Sequence, residues 1–318
     1  MIFISAEDIQ NNFTIKSLIE EIESVYKKNS NVPVRQIHNI DYLECANDPS
    51  QLILMPAFLS EEDYGIKLLN VFPSNTLIGL SRVKALFILF DSKNGKVKAV
   101  LDGTELTNQR TAAMSAIASK FLSKFNSKKL LVLGTGALVP YMIKAHCFVR
   151  PIEEVLIWGR DYSKVKNIVH NYKKNKNKIK ITIIENLEKA CGEADIITSL
   201  TSAKKEFIMG SWLNKNVHID LVGAHTKLMA ELDPYGFSLG NIYVDNRAAV
   251  LEEAGDLINA INLGFIKKNN IKADIQELIK NNKLVRDKRS EVTIYKSVGY
   301  ALSDLAAARL AFRCLRPS

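Results

Sequence analysis

The stretch Lys128-Lys-Leu-Leu-Val-Leu-Gly-Thr-Gly-Ala137 constrains the fold of this chain more than any other. An apolar run breaks into Gly134-x-Gly136 and passes into a helical pattern, and this is how a dinucleotide phosphate site is built. Gly134 permits the tight turn, Gly136 lets the main chain approach a pyrophosphate, and the N–H groups that open the next helix supply donors and partial positive charge. A lone GxG also occurs in ordinary strand-to-helix turns, so its context decides.

That context is an alternation of short apolar runs with helix-length segments. Runs fall at Val155-Leu-Ile-Trp158 and at residues 179–184, 196–200, 217–222 and 242–244, with a polar helix starting near Asp161. Such spacing predicts parallel strands with crossover helices, an α/β fold with a Rossmann-type dinucleotide-binding domain. At the end of the second strand, where a carboxylate would accept hydrogen bonds from an adenosine ribose, the chain carries Trp158-Gly159-Arg160. Arg160 can pair with a ribose 2′-phosphate that a carboxylate would repel, so NADPH is expected, with NADH possible. Asp161 comes one position late. Val139-Pro140 replaces the third glycine of the longer fingerprint, and proline suits the first turn of a helix.

Upstream the pattern changes to α+β. A helix is expected over residues 15–29, with extended segments at 34–40 and 52–56 and strands near 64–73, 85–90 and 96–101. Asp91-Ser-Lys-Asn-Gly95 reads as a hairpin turn in which Asn94 and Gly95 supply positive φ angles. An Ala-, Ser- and Met-rich helix from about Thr107 to Phe125 leads into the nucleotide domain, and a helix from Tyr300 to Phe312 returns to the first one. The expected division is therefore 1–120 for substrate binding and dimerisation, 121–292 for the cofactor, and 293–318 for the return segment.

With 318 residues, 47% of them hydrophobic and 24% charged, the chain has globular composition and room for two cores. No apolar run approaches the roughly 20 residues of a membrane span, and Met1-Ile-Phe-Ile-Ser-Ala lacks a secretory pattern, so a cytoplasmic protein with no membrane partner is expected. Cys45, Cys147, Cys191 and Cys314 form no CxxC, which argues against a disulfide framework or a metal site. Much of the net charge of +9 lies between Lys164 and Lys180. Without interleaved aromatics or a reading motif, that run is a solvated surface and no nucleic acid partner is expected.

Motifs spaced along nearly the whole chain carry a resemblance. Met55-Pro-Ala57, Gly65-Ile-Lys67, Phe72-Pro73-x-Asn75, Leu101-Asp-Gly-Thr104, Thr107-x-x-Arg110-Thr-Ala-Ala113, Gly134-x-Gly136, Thr201-Ser202, Val222-Gly-Ala224, Glu231-Leu-Asp233, Val244-Asp245, Glu253-x-Gly255-Asp256, Lys296-Ser-Val-Gly299 and Asp304-Leu-Ala-Ala-Ala308 together resemble the ornithine cyclodeaminase and mu-crystallin family. The resemblance implies a homodimer built through the N-terminal sheets, for which the apolar run 85–90 is suited. The segment Asp220 to Thr226 looks most like the branch that reduces 1-pyrroline-2-carboxylate and 1-piperideine-2-carboxylate to L-proline and L-pipecolate. Cyclodeaminases carry an Asp where this chain has His225, which puts ornithine cyclisation in doubt.

The same resemblance assigns the expected site. A small cyclic imino acid would be held by Arg35, Lys67 and Arg110, because a guanidinium fork grips a carboxylate through two hydrogen bonds. Lys67, lowered in pKa by burial and two arginines, is a proton donor to the imine nitrogen, with His225 the other candidate. Thr111, Gly134, Gly136, Ala137, Arg160, Thr201, Ser202, Val222, Gly223 and Ser297 are expected to contact the cofactor. Asp304, inside a helix, reads as support for the fold. The alternatives are ornithine cyclodeaminase, an alanine-type L-amino acid dehydrogenase, and a mu-crystallin-like binding protein without catalysis.

Overall fold

The computed structural model describes residues 1–40, 49–60, 62–174, 179–282, 286 and 291–315. Cys45 and part of the basic run, residues 175–178, lie outside them. The chain divides into two compact units, Met1–Thr111 with Tyr300–Ser318, and Ala112–Gly299.

The first unit opens with β1 (Ile2–Ile4), α1 (Ala6–Asn12) and α2 (Ile15–Tyr26). Both helices start at capping boxes, Ser5 with Asp8 and Thr14 with Ser17, which satisfy N–H groups that a helix start leaves orphaned. Then follow β2 (Ser30–Asn31), β3 (Gln36–Asn39), β4 (Gln51–Leu59), β5 (Tyr64–Val71), β6 (Val83–Phe90), β7 (Val97–Asp102) and α3 (Gly103–Leu122), within which the division of the chain falls. The strands form one sheet in the order β1-β7-β6-β5-β4-β2, with β3 also on β4; only the β1–β7 pair is parallel. At the β6–β7 hairpin only Gly95 has a positive φ, 70°, so the expected pair of left-handed residues is corrected to one. The longer loop explains this: the Gly95 N–H closes back on the Asp91 carbonyl, and a single left-handed residue returns the strand.

Register places Met55, Lys67, Phe87 and Leu101 in one row across β4, β5, β6 and β7, all buried. The C-terminal helix, Ala301–Leu315, packs on this face of the sheet and against α2. The opposite face carries Pro56, Ile66, Ile88 and Val100 in the next row and a stack of Phe58, Tyr64 and Phe90, and it is only partly covered.

The second unit contains β8 (Lys129–Leu133), α4 (Val139–Val149), β9 (Glu154–Trp158), α5 (Tyr162–Lys174), β10 (Lys180–Ile183), α6 (Leu187–Glu193), β11 (Ile196–Ser199), β12 (His218–Leu221), α7 (Pro234–Ser238), β13 (Gly240–Val244), α8 (Arg247–Glu253), α9 (Gly255–Asn262), β14 (Ile271–Asp274), α10 (Ile275–Asn281) and β15 (Val292–Lys296). Its eight strands are all parallel, in the order β10-β9-β8-β11-β12-β15-β13-β14. Leu130 and Val132 join one apolar cluster and Leu131 and Leu133 the other, so both faces are covered, as a doubly wound sheet requires.

One strand departs from the sequence expectation. β15 lies between β12 and β13 in this sheet, and residues 293–299 cluster with the second unit, whereas the sequence reading put them in the return segment. Val292-Thr-Ile-Tyr-Lys296 is a short apolar run, and periodicity does not say which sheet such a run joins. Among the described residues no helix is long and apolar enough to cross a membrane.

Candidate active site

In the first unit, the β5 residue Lys67 is 0% exposed and donates from Nζ to Asp304 Oδ2 at 2.8 Å and to Thr107 Oγ1 at 3.5 Å. Strand alternation would have let it point to water, but its face is the one the C-terminal helix covers. Arg110 in α3, also buried, donates from Nε to the other Asp304 oxygen at 2.9 Å. One carboxylate thus joins a lysine and an arginine from distant parts of the chain. Gly103 makes the approach of α3 possible: a Cβ there would come within 2.8 Å of the Ala85 and Leu86 backbone.

Burial lowers the Lys67 pKa to about 7; Asp304 opposes that, while Arg110 and Arg35 add to it. Arg35, half-buried just before β3, is therefore near enough for Lys67 to feel its charge. Burial works to raise the Asp304 carboxyl, but Arg110 and Lys67 outweigh it and hold the group below its usual range. It is an anion between two cations. The third N–H of Lys67 and the two Nη groups of Arg110 make no hydrogen bond among the described residues, so a donor and a fork remain for an acidic ligand.

In the second unit, a cleft of about 810 Å³ opens at the carboxyl ends of β8, β9 and β11, where strand order reverses from β8 to β9 on one side and β11 on the other. Open α/β sheets bind ligands at such a point. It gathers Gly134, Gly136, Arg160, Thr201 and Ser202 of the expected residues, along with Trp158, Lys164, Lys204, Lys205 and Phe207. Gly134 has φ 130°, and a Cβ there would lie 3.1 Å from the Leu200 carbonyl oxygen. A Cβ on Gly136 would meet nothing within 4 Å, which is the open cradle a phosphate needs. Helix α4 begins without a side-chain cap, leaving its first turn to a ligand. These residues fit a dinucleotide.

Asp161 is otherwise engaged. Its Oδ1 accepts from Ser163 N and Oγ at 3.0 and 2.6 Å and from Lys164 N at 3.2 Å, capping α5. Trp158 stacks on Phe207 at 5.5 Å along the cleft.

The remaining expected residues are distributed more widely. Ala137 is exposed in the β8–α4 turn, Val222 and Gly223 follow β12, and Thr111 is buried in α3. Ser297, just past β15, donates to Asp245 Oδ2 at 2.9 Å, and the same oxygen accepts from Val298 and Gly299 N–H. His225 is exposed, with Nδ1 2.8 Å from the Gly223 carbonyl oxygen. Sequence reasoning gave Asp304 no place in the site and assigned no role to Phe207, Lys204 or Lys205. The signal for Asp304 was a single acid in a mostly apolar, Ala-rich helix, where a lone carboxylate needs a buried cation.

The family model for "Ornithine cyclodeaminase/mu-crystallin family" matches residues 1–315. A Delta(1)-pyrroline-2-carboxylate reductase of Colwellia psychrerythraea is 32% identical over 309 residues, 97% of each chain. Among solved structures, the Thermococcus litoralis Delta(1)-pyrroline-2-carboxylate reductase in complex with NADH and L-proline superposes with TM-score 0.92 at 29% identity, covering 99% of this chain and 97% of that one. An archaeal alanine dehydrogenase dimer with bound NAD superposes with TM-score 0.88 at 25% identity, over 98% of this chain and 95% of that one.

Proposed function

The chain belongs to the ornithine cyclodeaminase/mu-crystallin family, and we propose that it is an NADPH-dependent reductase of small cyclic ketimine carboxylates, 1-pyrroline-2-carboxylate and 1-piperideine-2-carboxylate. The observation that carries this reading is the buried Lys67–Asp304–Arg110 arrangement, which offers an anion grip and a proton on one side of a sheet. The relatives named as pyrroline-2-carboxylate reductases support it.

A reduced nicotinamide, when bound, supplies the hydride. The Arg110 guanidinium holds the substrate carboxylate through its Nη groups, with Arg35 adding positive charge. The Lys67 ammonium faces the ring nitrogen and gives it a proton as the C=N electron pair closes onto that nitrogen, because a neutral imine is a poor hydride acceptor. Lys67 is left neutral and recovers its proton from solvent. Burial matters here, since a pKa near 7 makes the ammonium acidic enough to give up a proton while part of it stays charged at neutral pH. The test is NADPH oxidation by purified protein with each cyclic ketimine, with the L-amino acid identified as product. Turnover of ornithine to proline and ammonia at an equal or higher rate would replace this assignment with cyclodeamination.

Preference for NADPH over NADH rests on Arg160 at the end of β9 and on Asp161 being spent on its own helix. Arg160→Ala should weaken NADPH binding by about 1.5–3 kcal/mol, the worth of a hydrogen bond to a charged group, and leave NADH nearly unchanged. Isothermal titration checks this, and an equal loss for both cofactors counts against a contact with the 2′-phosphate.

A homodimer is also proposed. The outer face of the first sheet leaves Leu86 44% and Phe58 38% exposed beside the row of Pro56, Ile66, Ile88 and Val100. Contiguous apolar surface of this kind is normally covered by a partner. Light scattering should give about twice the chain mass, and Ile88→Lys should shift the protein toward monomer; an active wild-type monomer at micromolar concentration excludes the idea.

A further inference from the structure

Glu231 is fully buried in the second unit, and its carboxylate receives five hydrogen bonds. Oε1 accepts from Ser199 Oγ at 2.5 Å, Thr201 N at 2.8 Å and Thr201 Oγ1 at 2.9 Å; Oε2 accepts from Gly223 N and Ala224 N, both at 2.9 Å. These donors come from the last residue of β11 and from the loops after β11 and β12. The two loops are pressed together: a Cβ on Gly223 would lie 2.2 Å from Thr201 O and 2.4 Å from Glu231 Oε1. Behind Glu231, its own N–H points to Asp256 Oδ2 at 3.4 Å, and Asp256 is held by the buried Lys296 at 3.0 Å. A charged cluster this deep is costly to build, and the apolar clusters around it do not require it.

We propose that Glu231 is a positioning residue that fixes the β11 and β12 loops against the nicotinamide half of the cofactor, and this inference rests on the nicotinamide-dependent reading above. The placement follows from topology. The glycine turn after β8 and the Trp158–Arg160 segment at the end of β9 serve the pyrophosphate and adenosine half, so the second mononucleotide half falls across the switch point, over the ends of β11 and β12. Those ends are the Thr201 and Gly223 loops. His225, two residues beyond Gly223 and tied to its carbonyl, projects from the base that Glu231 sets. Only an ionised carboxylate can accept from both loops at once, because an amide turns one oxygen into a donor facing other donors.

The experiment compares wild type, Glu231→Gln and Glu231→Asp for binding of NADPH and of 2′-phospho-ADP-ribose, which lacks the nicotinamide, alongside circular dichroism. Glu231→Gln should keep the wild-type spectrum and bind the fragment within about twofold of wild type, while NADPH binding weakens about tenfold, or about 1.4 kcal/mol. In turnover, kcat should fall more than the KM for imine rises, and the kinetic isotope effect with 4-deuterated NADPH should grow; Glu231→Asp should recover part of both. Loss of fragment and NADPH binding in parallel, or no loss of either, overturns the positioning role. Failure of wild type to bind any nicotinamide dinucleotide would instead overturn the underlying functional reading.

Discussion

Lys67→Met should lower kcat for imine reduction by about 10²–10⁴-fold, the usual contribution of a positioned general acid. NADPH binding should stay within about twofold, because Lys67 lies outside the cleft at the ends of β8, β9 and β11. Methionine keeps the length and the apolar stem of the side chain, so the sheet and the C-terminal helix can still close. It removes one of the two cations on Asp304, and Arg110 remains to compensate the carboxylate. In wild type the rate should be highest below pH 7 and fall as pH rises through about 7, since burial brings the lysine to that value and only the protonated form donates. This alkaline limb should vanish in Lys67→Met. Steady-state kinetics across pH measure both effects, and a variant that keeps wild-type kcat would remove Lys67 as the acid and leave His225 to be tested in its place.

Asp304→Asn should strongly destabilise the first unit. It leaves Lys67 and Arg110 buried without their shared counter-charge, and breaking a buried ion pair from one side costs about 3–5 kcal/mol. Urea denaturation should show that loss. The same change removes the main influence raising the Lys67 pKa, while burial, Arg110 and Arg35 continue to lower it. The alkaline limb should therefore move to lower pH, and activity at neutral pH should fall beyond what unfolding explains. A variant with unchanged stability and an unchanged pH profile would show that Asp304 neither holds nor tunes the pair.

The two predictions differ in how far the sequence alone supports them. Lys67 and Arg110 were legible as site residues because Gly65-Ile-Lys67 and Thr107-x-x-Arg110 carried a family resemblance; strand alternation taken alone would have sent Lys67 to water. Asp304 was legible only as a helical acid. Its partners are 237 and 194 residues away in sequence, and a helix buried along nearly its whole length shows no polar stripe that would reveal which way the carboxylate points. Glu231 was likewise quoted within a motif, without a role, because its five donors are all backbone or hydroxyl groups and four of them lie in loops that periodicity does not describe. Arg160 was easier, since its place is set by a local event, the end of a strand following the glycine turn.

The sequence by itself determined the local events: where β8 breaks into Gly134-x-Gly136, which segments alternate as strands and helices, and that the chain is an α/β protein with a dinucleotide site. These depend on residues within a turn or two of one another, where glycine's conformational freedom and the period of apolar side chains act directly. Tertiary structure alone decided that β15 enters the parallel sheet between β12 and β13, that the Lys67 face of the first sheet is the one a helix covers, and that one carboxylate joins Lys67 to Arg110. Sheet order and the pairing of buried charges depend on which distant surfaces exclude water together, and that is settled only when the whole chain has packed.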